Sequence, residues 1–270
     1  MAALAGYYAK VKVCHVEAGL RTFDKYAPFP EEMNRQITGR IADIHFAPTE
    51  KAKTNLLSEG ISEDSIIITG NTVIDALLYT IAKLKIDDNL PEINKLKATL
   101  DERPFILVTG HRRENFGVGF LNICNALLEI TERDSNIQIV YPVHLNPNVK
   151  QPVYKILGNN QSIKLIEPIS YPAFAWLISK CKIILTDSGG VQEEAPTLGK
   201  PVLVMREETE RPEAIEAGTA ILVGTNKRLI VNESLNLLTN TERYNTMSKL
   251  HNPYGDGQCC KRILKIFDNL

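Results

Sequence analysis

Short apolar runs alternate along this chain with stretches whose apolar positions recur every three or four residues. The runs fall at residues 11–16, 44–47, 65–68, 105–109, 137–143, 163–165, 183–186, 202–205 and 220–223. Each has strand length and is apolar on consecutive positions, which suits a strand covered on both faces. Residues 120–133, 171–180, 191–199 and 211–217 carry helical periodicity, and 71–103 reads as mostly helical and charged. A helical tail over 258–270 follows the turn signal Asn252-Pro-Tyr-Gly-Asp-Gly257. Strand–helix alternation of this kind predicts an α/β fold with parallel sheets. Six strands with their helices fill 104–224, a complete doubly wound domain, whereas only three strands precede residue 70. The leading helix has no strand ahead of it.

Composition narrows the class. The 270 residues are 44% hydrophobic and 23% charged with a net charge of -1, ordinary for a globular chain. That balance gives no reason to expect nucleic acid or a membrane surface, and no run approaches the ~18 apolar residues of a membrane-spanning helix. The N-terminus lacks the order of a signal peptide. Five cysteines, an odd number without metal-ligand spacing, fit a reducing cytoplasm, and the adjacent Cys259-Cys260 suits packing better than a disulfide. The histidines are isolated, so no metal site is expected. There is no G-x-G-x-x-G and no P-loop, which argues against a bound dinucleotide or an NTPase. No cofactor is expected.

Four segments carry candidate chemistry. In His15-Val-Glu-Ala-Gly-Leu-Arg-Thr22 a strand ends in a glutamate and a glycine turn, and Pro30-Glu-Glu-Met-Asn-Arg35 supplies an acidic pair beyond it. Carboxylates at the carboxyl ends of parallel strands lie where such folds do chemistry, and two of them can divide the work of moving a proton. Gly110-His-Arg-Arg-Glu-Asn115 follows a buried strand with almost no spacer, so His111, Arg112 and Arg113 suit an anionic ligand better than a solvated loop. Thr186-Asp-Ser-Gly-Gly-Val-Gln-Glu-Glu194 runs from strand into glycine turn into helix. Backbone N–H groups there can bind an anion, and Glu194, a turn further, can accept from ribose hydroxyls; a plain turn is the alternative. Glu207-Glu-Thr-Glu-Arg-Pro-Glu213, taken alone, reads as an acidic surface loop. His144 closes a strand, and ligand contact or simple loop bonding both fit; His45 reads as structural and His251 as exposed.

Together the motifs HVEAGLRT (15–22), PFPEEMNRQITGRIAD (28–43), ITGNTVIDAL (68–77), TGHRREN (109–115), PVHLNPNV (142–149), DSGGVQEEAPTLGKPVLVMREETERPEA (187–214) and NPYGDG (252–257) resemble the non-hydrolysing UDP-N-acetylglucosamine 2-epimerases. The resemblance runs in order over nearly the whole chain. It implies a GT-B-like fold of two Rossmann-like doubly wound domains, the N-terminal one incomplete. The implied division is 1–70 for that remnant, 71–250 for a UDP-binding domain with linking helices, and 251–270 for a helix packing back towards the first.

The resemblance further implies a UDP-sugar substrate, a cytoplasmic homodimer, and interconversion of UDP-GlcNAc and UDP-ManNAc by elimination and re-addition of UDP. Glu17 and Glu31 match acid/base positions, and His111 matches the catalytic histidine, placed to stabilise the leaving diphosphate. Substrate-binding positions are Glu17, His111, Ser188, Gly189, Gly190, Glu194 at the ribose, Arg211, and Phe174 against the uracil. Arg112, Arg113 and His144 match a possible regulatory site. The chain departs from the family pattern at its front. By ordinary domain size, roughly a hundred residues would precede it, including a glycine turn with a basic nucleotide contact and a third catalytic carboxylate. That departure predicts weak or no epimerase activity for the 270 residues. The alternatives are a non-catalytic nucleotide-binding module, a GT-B glycosyltransferase and a hydrolysing epimerase.

Overall fold

Residues 1–26 and 28–268 are described by a computed structural model, and they divide into two compact units: Met1–Leu78 with Pro253–Leu270, and Tyr79–Asn252. The first unit opens with α1 (Ala2–Tyr8), β1 (Cys14–Val16), α2 (Glu31–Ile41), β2 (Ile44–Ala47), α3 (Glu50–Ser58) and β3 (Ile66–Ile68). The strands pair in parallel in the order β1-β2-β3. Thr49 caps α3, its hydroxyl accepting from the Ala52 N–H at 3.1 Å, which satisfies one of the unpaired donors of the first turn. β1 is shorter than the apolar run predicts. Val13 exchanges bonds with Asp43, donating its N–H to the Asp43 carboxylate while its carbonyl accepts the Asp43 N–H, both at 2.8 Å, and regular pairing starts at Cys14.

The division between units falls inside α4 (Thr72–Ile86), after which come α5 (Pro91–Thr99), β4 (Phe105–Thr109), α6 (Val118–Arg133), β5 (Gln138–Pro142), α7 (Pro147–Leu157) and β6 (Ile163–Ile166). α8 (Tyr171–Lys180), β7 (Ile183–Thr186), α9 (Gly189–Thr197), β8 (Val202–Val204), α10 (Pro212–Glu216), β9 (Ala220–Leu222), α11 (Lys227–Thr239) and α12 (Thr241–Ser248) complete the second unit. Its six strands are parallel in the order β6-β5-β4-β7-β8-β9. Counted within the unit this is 3-2-1-4-5-6, the doubly wound order whose direction reverses between β4 and β7. All four β7 residues and the first four of β4 are buried, as strands covered on both faces must be. α6 buries Phe120, Ile123, Leu127 and Ile130 on one stripe at helical spacing, in one core cluster with Ile230 and Val231 of α11.

The chain then returns to the first unit as α13 (Cys259–Phe267). Cys259 and Ile263 bury against Phe46 of β2, and the Asp75 carboxylate accepts the N–H groups of Cys259 and Cys260 at 3.1 and 2.9 Å, serving as the helix's N-terminal cap. All five cysteines are free. Among the described residues, no helix is long and apolar enough to cross a membrane.

Candidate functional site

In the second unit, β4 and β7 lie side by side at the point where strand order reverses, and the two predicted loops leave their carboxyl ends. The Thr109 and Thr186 hydroxyls meet at 2.5 Å and tie the strand ends together. The next residue on β7's side, Asp187, is fully buried. Its Oδ2 accepts the backbone N–H groups of His111 and Arg112, each at 2.8 Å, and the Asn115 amide at 3.4 Å. Asn115 also donates to the Met205 carbonyl at 3.0 Å, and the buried Tyr141 hydroxyl donates to the Gly110 carbonyl at 2.9 Å. The loop 110–115 is therefore a fixed platform rather than a solvated basic loop. On it the His111 ring stacks on His144 with centroids 5.4 Å apart and planes inclined by 16°. A cavity of about 230 Å³ opens here, lined by His111, His144, Ile169, Phe174, Ser188 and Val191 among others.

Ser188 is the N-cap of α9, and its side chain makes no capping bond. The first N–H groups of a helix have no intrahelical partner, so the Gly189–Gly190 turn offers donors for an anion. Gly189 is required by packing: a Cβ there would stand 2.9 Å from the Arg211 guanidinium, whereas at Gly190 it would meet nothing within 4 Å. Beneath the turn lies an ionic network. Arg211 pairs with Glu193 and Glu210 at 2.8 Å each, Arg206 pairs with Glu210 and, at 2.7 Å, with Glu114, and Arg112 reaches Glu210 at 3.5 Å. Burial alone would raise the Glu210 carboxyl, but the Arg211 and Arg206 charges outweigh it and hold it at about 2. The reading of 207–213 as a surface loop holds for Glu207 and Glu208 only; Glu210 and Arg211 are buried because each neutralises the other.

Glu194 is buried and accepts from the Tyr171 hydroxyl at 2.7 Å. Burial raises its pKa, and the Tyr171 bond offsets part of that rise. Tyr171 precedes Phe174 by three residues on α8 as Val191 precedes Glu194 on α9, so each pair shares a helix face. Phe174 and Val191 line the cavity; Glu194 and Arg211 do not. Arg113 is exposed, unlike the half-buried Arg112.

The first unit holds its carboxylates differently. Glu17 follows β1 with φ at 62°, a left-handed conformation rare for a residue with a side chain. Gly19, at φ 91°, lets the turn close against α3, since a Cβ there would lie 2.1 Å from the Ala52 carbonyl oxygen. Asn55 donates to the Gly19 carbonyl at 2.9 Å, and Asn71 donates to Glu17 at 3.4 Å. The acidic pair at the start of α2 splits: Glu31 is exposed, while Glu32 is fully buried and accepts the Thr22 and Phe23 N–H groups at 3.0 and 3.3 Å. Beneath, burial foremost, then the His45, Arg21 and Arg35 charges, push the His15 imidazole down to about 4. His45, read as structural, is buried, and His251 is exposed, as read.

Asp187 and Glu32 stand inside the motifs and Tyr171 opens the predicted helix 171–180, but none of the three was given a role at the site. For Asp187 the signal was available: a charged residue directly after a buried strand needs partners for its burial. Nothing distinguishes Glu32 from its neighbour without the helix phase.

Residues 1–268 match the sequence model of a family described as UDP-N-acetylglucosamine 2-epimerase. The chain is 57% identical over 270 residues to the UDP-N-acetylglucosamine 2-epimerase of Salmonella typhimurium, an alignment covering 97% of this chain and 70% of that protein. It is similar to the crystal structure of UDP-GlcNAc 2-epimerase from Neisseria meningitidis bound to UDP-GlcNAc, with a TM-score of 0.94 and 47% identity over 100% of this chain and 73% of that one. The S. aureus MnaA–UDP structure gives a TM-score of 0.90 and 46% identity over 99% and 72%.

Proposed function

The chain belongs to the UDP-N-acetylglucosamine 2-epimerase family, and from that premise we propose that it binds a UDP-sugar and carries residues for the interconversion of UDP-GlcNAc and UDP-ManNAc. In the forward direction a carboxylate removes the proton from C2. The C–H electron pair becomes a C1–C2 double bond, and the C1–O bond breaks with its pair leaving on UDP. Re-addition returns the UDP oxygen to C1 and delivers a proton to C2 from the opposite face. Glu17 and Glu31 are the proposed acid and base, because the step needs two carboxyl groups that act from different environments. His111 and the N–H groups at Gly189 and Gly190 take the diphosphate, Phe174 the uracil and Glu194 the ribose. Arg211 supports the nucleotide side from beneath the glycine turn. The observation that carries this reading is the single cavity in which His111, Phe174 and Ser188 converge at the ends of β4 and β7.

Incubating the chain with UDP-GlcNAc in deuterium oxide and following C2 by NMR, alongside calorimetric titration with UDP, tests it. Deuterium at C2 with UDP-ManNAc appearing supports the whole proposal. UDP binding without exchange would confine the function to nucleotide binding, the second reading, and absence of both would overturn it. Family membership also grounds the proposals of a cytoplasmic homodimer, checked by sedimentation equilibrium, of a nucleotide domain over 71–250, and of a regulatory role for Arg112, Arg113 and His144.

A further inference from the structure

We infer that Asp187 is a positioning residue for His111, fixing which ring nitrogen carries the constant proton and which faces the ligand. The two oxygens of this fully buried carboxylate are used unequally. Oδ2 takes the His111 and Arg112 N–H groups and the Asn115 amide, whereas Oδ1, equally enclosed, has no hydrogen-bond partner. A buried carboxylate oxygen without a donor is costly. A candidate stands close by: the His111 Nδ1, 3.6 Å away. That is beyond hydrogen-bond length, but the backbone N–H of His111 is already bound to the same carboxylate and its side chain is 44% exposed. Ring rotation of well under one ångström, on the order of the gap to a ~3 Å bond, completes the pair.

The consequence is a fixed tautomer. A carboxylate can only accept, so the partnered Nδ1 must carry hydrogen. Nε2, on the opposite side of the ring, is then the atom whose proton is given to a ligand oxygen and taken back. The surroundings leave Asp187 as the determining anion. His144 stacks on the face of the ring and not its edge, the Arg112 side chain turns to Glu210, and Tyr141 is committed to the Gly110 carbonyl. Asp187 itself touches no substrate in this arrangement. The inference rests on the proposed role of His111 at the diphosphate and adds how that role is oriented.

Asp187→Asn separates positioning from simple loop tethering. Its amide oxygen still accepts the His111 and Arg112 N–H groups, but the amide nitrogen replaces Oδ1 with a donor. Nδ1 must then accept, and hydrogen moves to Nε2. The test is ¹⁵N NMR of the histidine rings in the full chain, with His111 assigned by the signal lost in His111→Gln. The expected result is neutral His111 protonated on Nδ1 in the parent and on Nε2 in Asp187→Asn, with UDP shifting the Nε2 resonance of the parent. Neutral His111 protonated on Nε2 in the parent, or the same tautomer in both proteins, overturns the inference. Should Asp187→Asn not fold, the parent's tautomer alone decides. Calorimetric UDP titration of the same samples keeps the two claims apart: no UDP binding with the Nδ1 tautomer present removes the functional reading and leaves the Asp187–His111 pair standing.

Discussion

The two units place their candidate residues by different means. In the Tyr79–Asn252 unit, buried side chains hold the loops: Asp187 pins 111–115, and Glu210 with Arg211 lies beneath the glycine turn. In the Met1–Leu78 and Pro253–Leu270 unit, backbone shape shares that work with one buried carboxylate, Glu32. Glu17 is aimed by a left-handed residue and the close approach of Gly19, and Glu31 stands exposed while Glu32 anchors the loop before it. Fixed donors suit a bound nucleotide, whose charge does not change, because their orientation is set before the ligand arrives. An exposed carboxylate suits proton exchange, because it keeps access to both protonation states. The units should therefore fail in different ways, and substitutions can ask whether they do.

The largest effect is expected from Arg211→Ala. It leaves Glu193 and Glu210 buried without their shared cation, and breaking a buried ion pair from one side costs about 3–5 kcal/mol. Trp176, the chain's one tryptophan, lies on α8 in this unit, so its fluorescence during urea unfolding reads the loss. A loss of under about 1 kcal/mol would mean that the network is only superficially coupled to the fold.

Gly19→Ala is the matching experiment on the backbone-held unit. The added methyl meets the Ala52 carbonyl at 2.1 Å in a conformation that already disfavours side chains, and a cost of about 3 kcal/mol is expected. Amide hydrogen exchange should rise across β1, β2 and β3 while the Trp176 transition stays in place. A shift of both together would show that the units do not unfold independently.

Acid sharpens the same contrast. His15 titrates near the ordinary 6.5 when unfolded and at about 4 when folded, so the unfolded chain takes up the proton first. Its contribution is complete above pH 6.5 and is lost as pH falls towards 4, on the order of 3 kcal/mol. Glu210, held at about 2, keeps its pairing over that whole range. Exchange rates in β1–β3 should climb between pH 6.5 and 4 and the Trp176 transition should not; His15→Asn should flatten the slope. A parent slope that survives this substitution assigns the acid sensitivity elsewhere.

Much of this was legible in the chain because strand burial is written as consecutive apolar residues. Among the described residues, all nine strands form at the predicted runs, and Ile44–Ala47, Phe105–Thr109 and Ile183–Thr186 match them end to end. Helices were legible only where a wide apolar stripe faces the core. Among the described residues, α2, α3, α7, α11 and α12 fall outside the predicted set. α2 buries only Glu32 and Gly39, and α7 carries Pro152 within its Val149–Val153–Leu157 stripe. At the site, motif spacing reached the residues on strand-end loops, but the side chains beneath them depend on tertiary pairing. Nothing local reveals that Glu210 and Arg211 are buried together, since four acidic residues in seven positions read as solvated.

The smallest expected effect, and the finest test of the contrast, is Tyr171→Phe. Glu194 is buried, and burial raises its pKa; the Tyr171 hydroxyl is what holds the carboxylate form in place. Removing that hydroxyl should raise the carboxyl further. In the proposed role Glu194 accepts from ribose hydroxyls, and a protonated carboxyl accepts them less well. UDP affinity should therefore fall as pH is lowered, and the fall should begin at higher pH in Tyr171→Phe than in the parent. Loss of one hydrogen bond to a charged group, about 1.5 kcal/mol at the low end, corresponds to roughly a tenfold weaker UDP complex at neutral pH. Calorimetric titrations with UDP and with 2′-deoxy-UDP from pH 5 to 8 check it. If Tyr171→Phe weakens both nucleotides equally and with the parent's pH dependence, then Tyr171 packs beside the site without tuning Glu194. In that case preorganisation in this unit stops at the phosphate end, with Asp187.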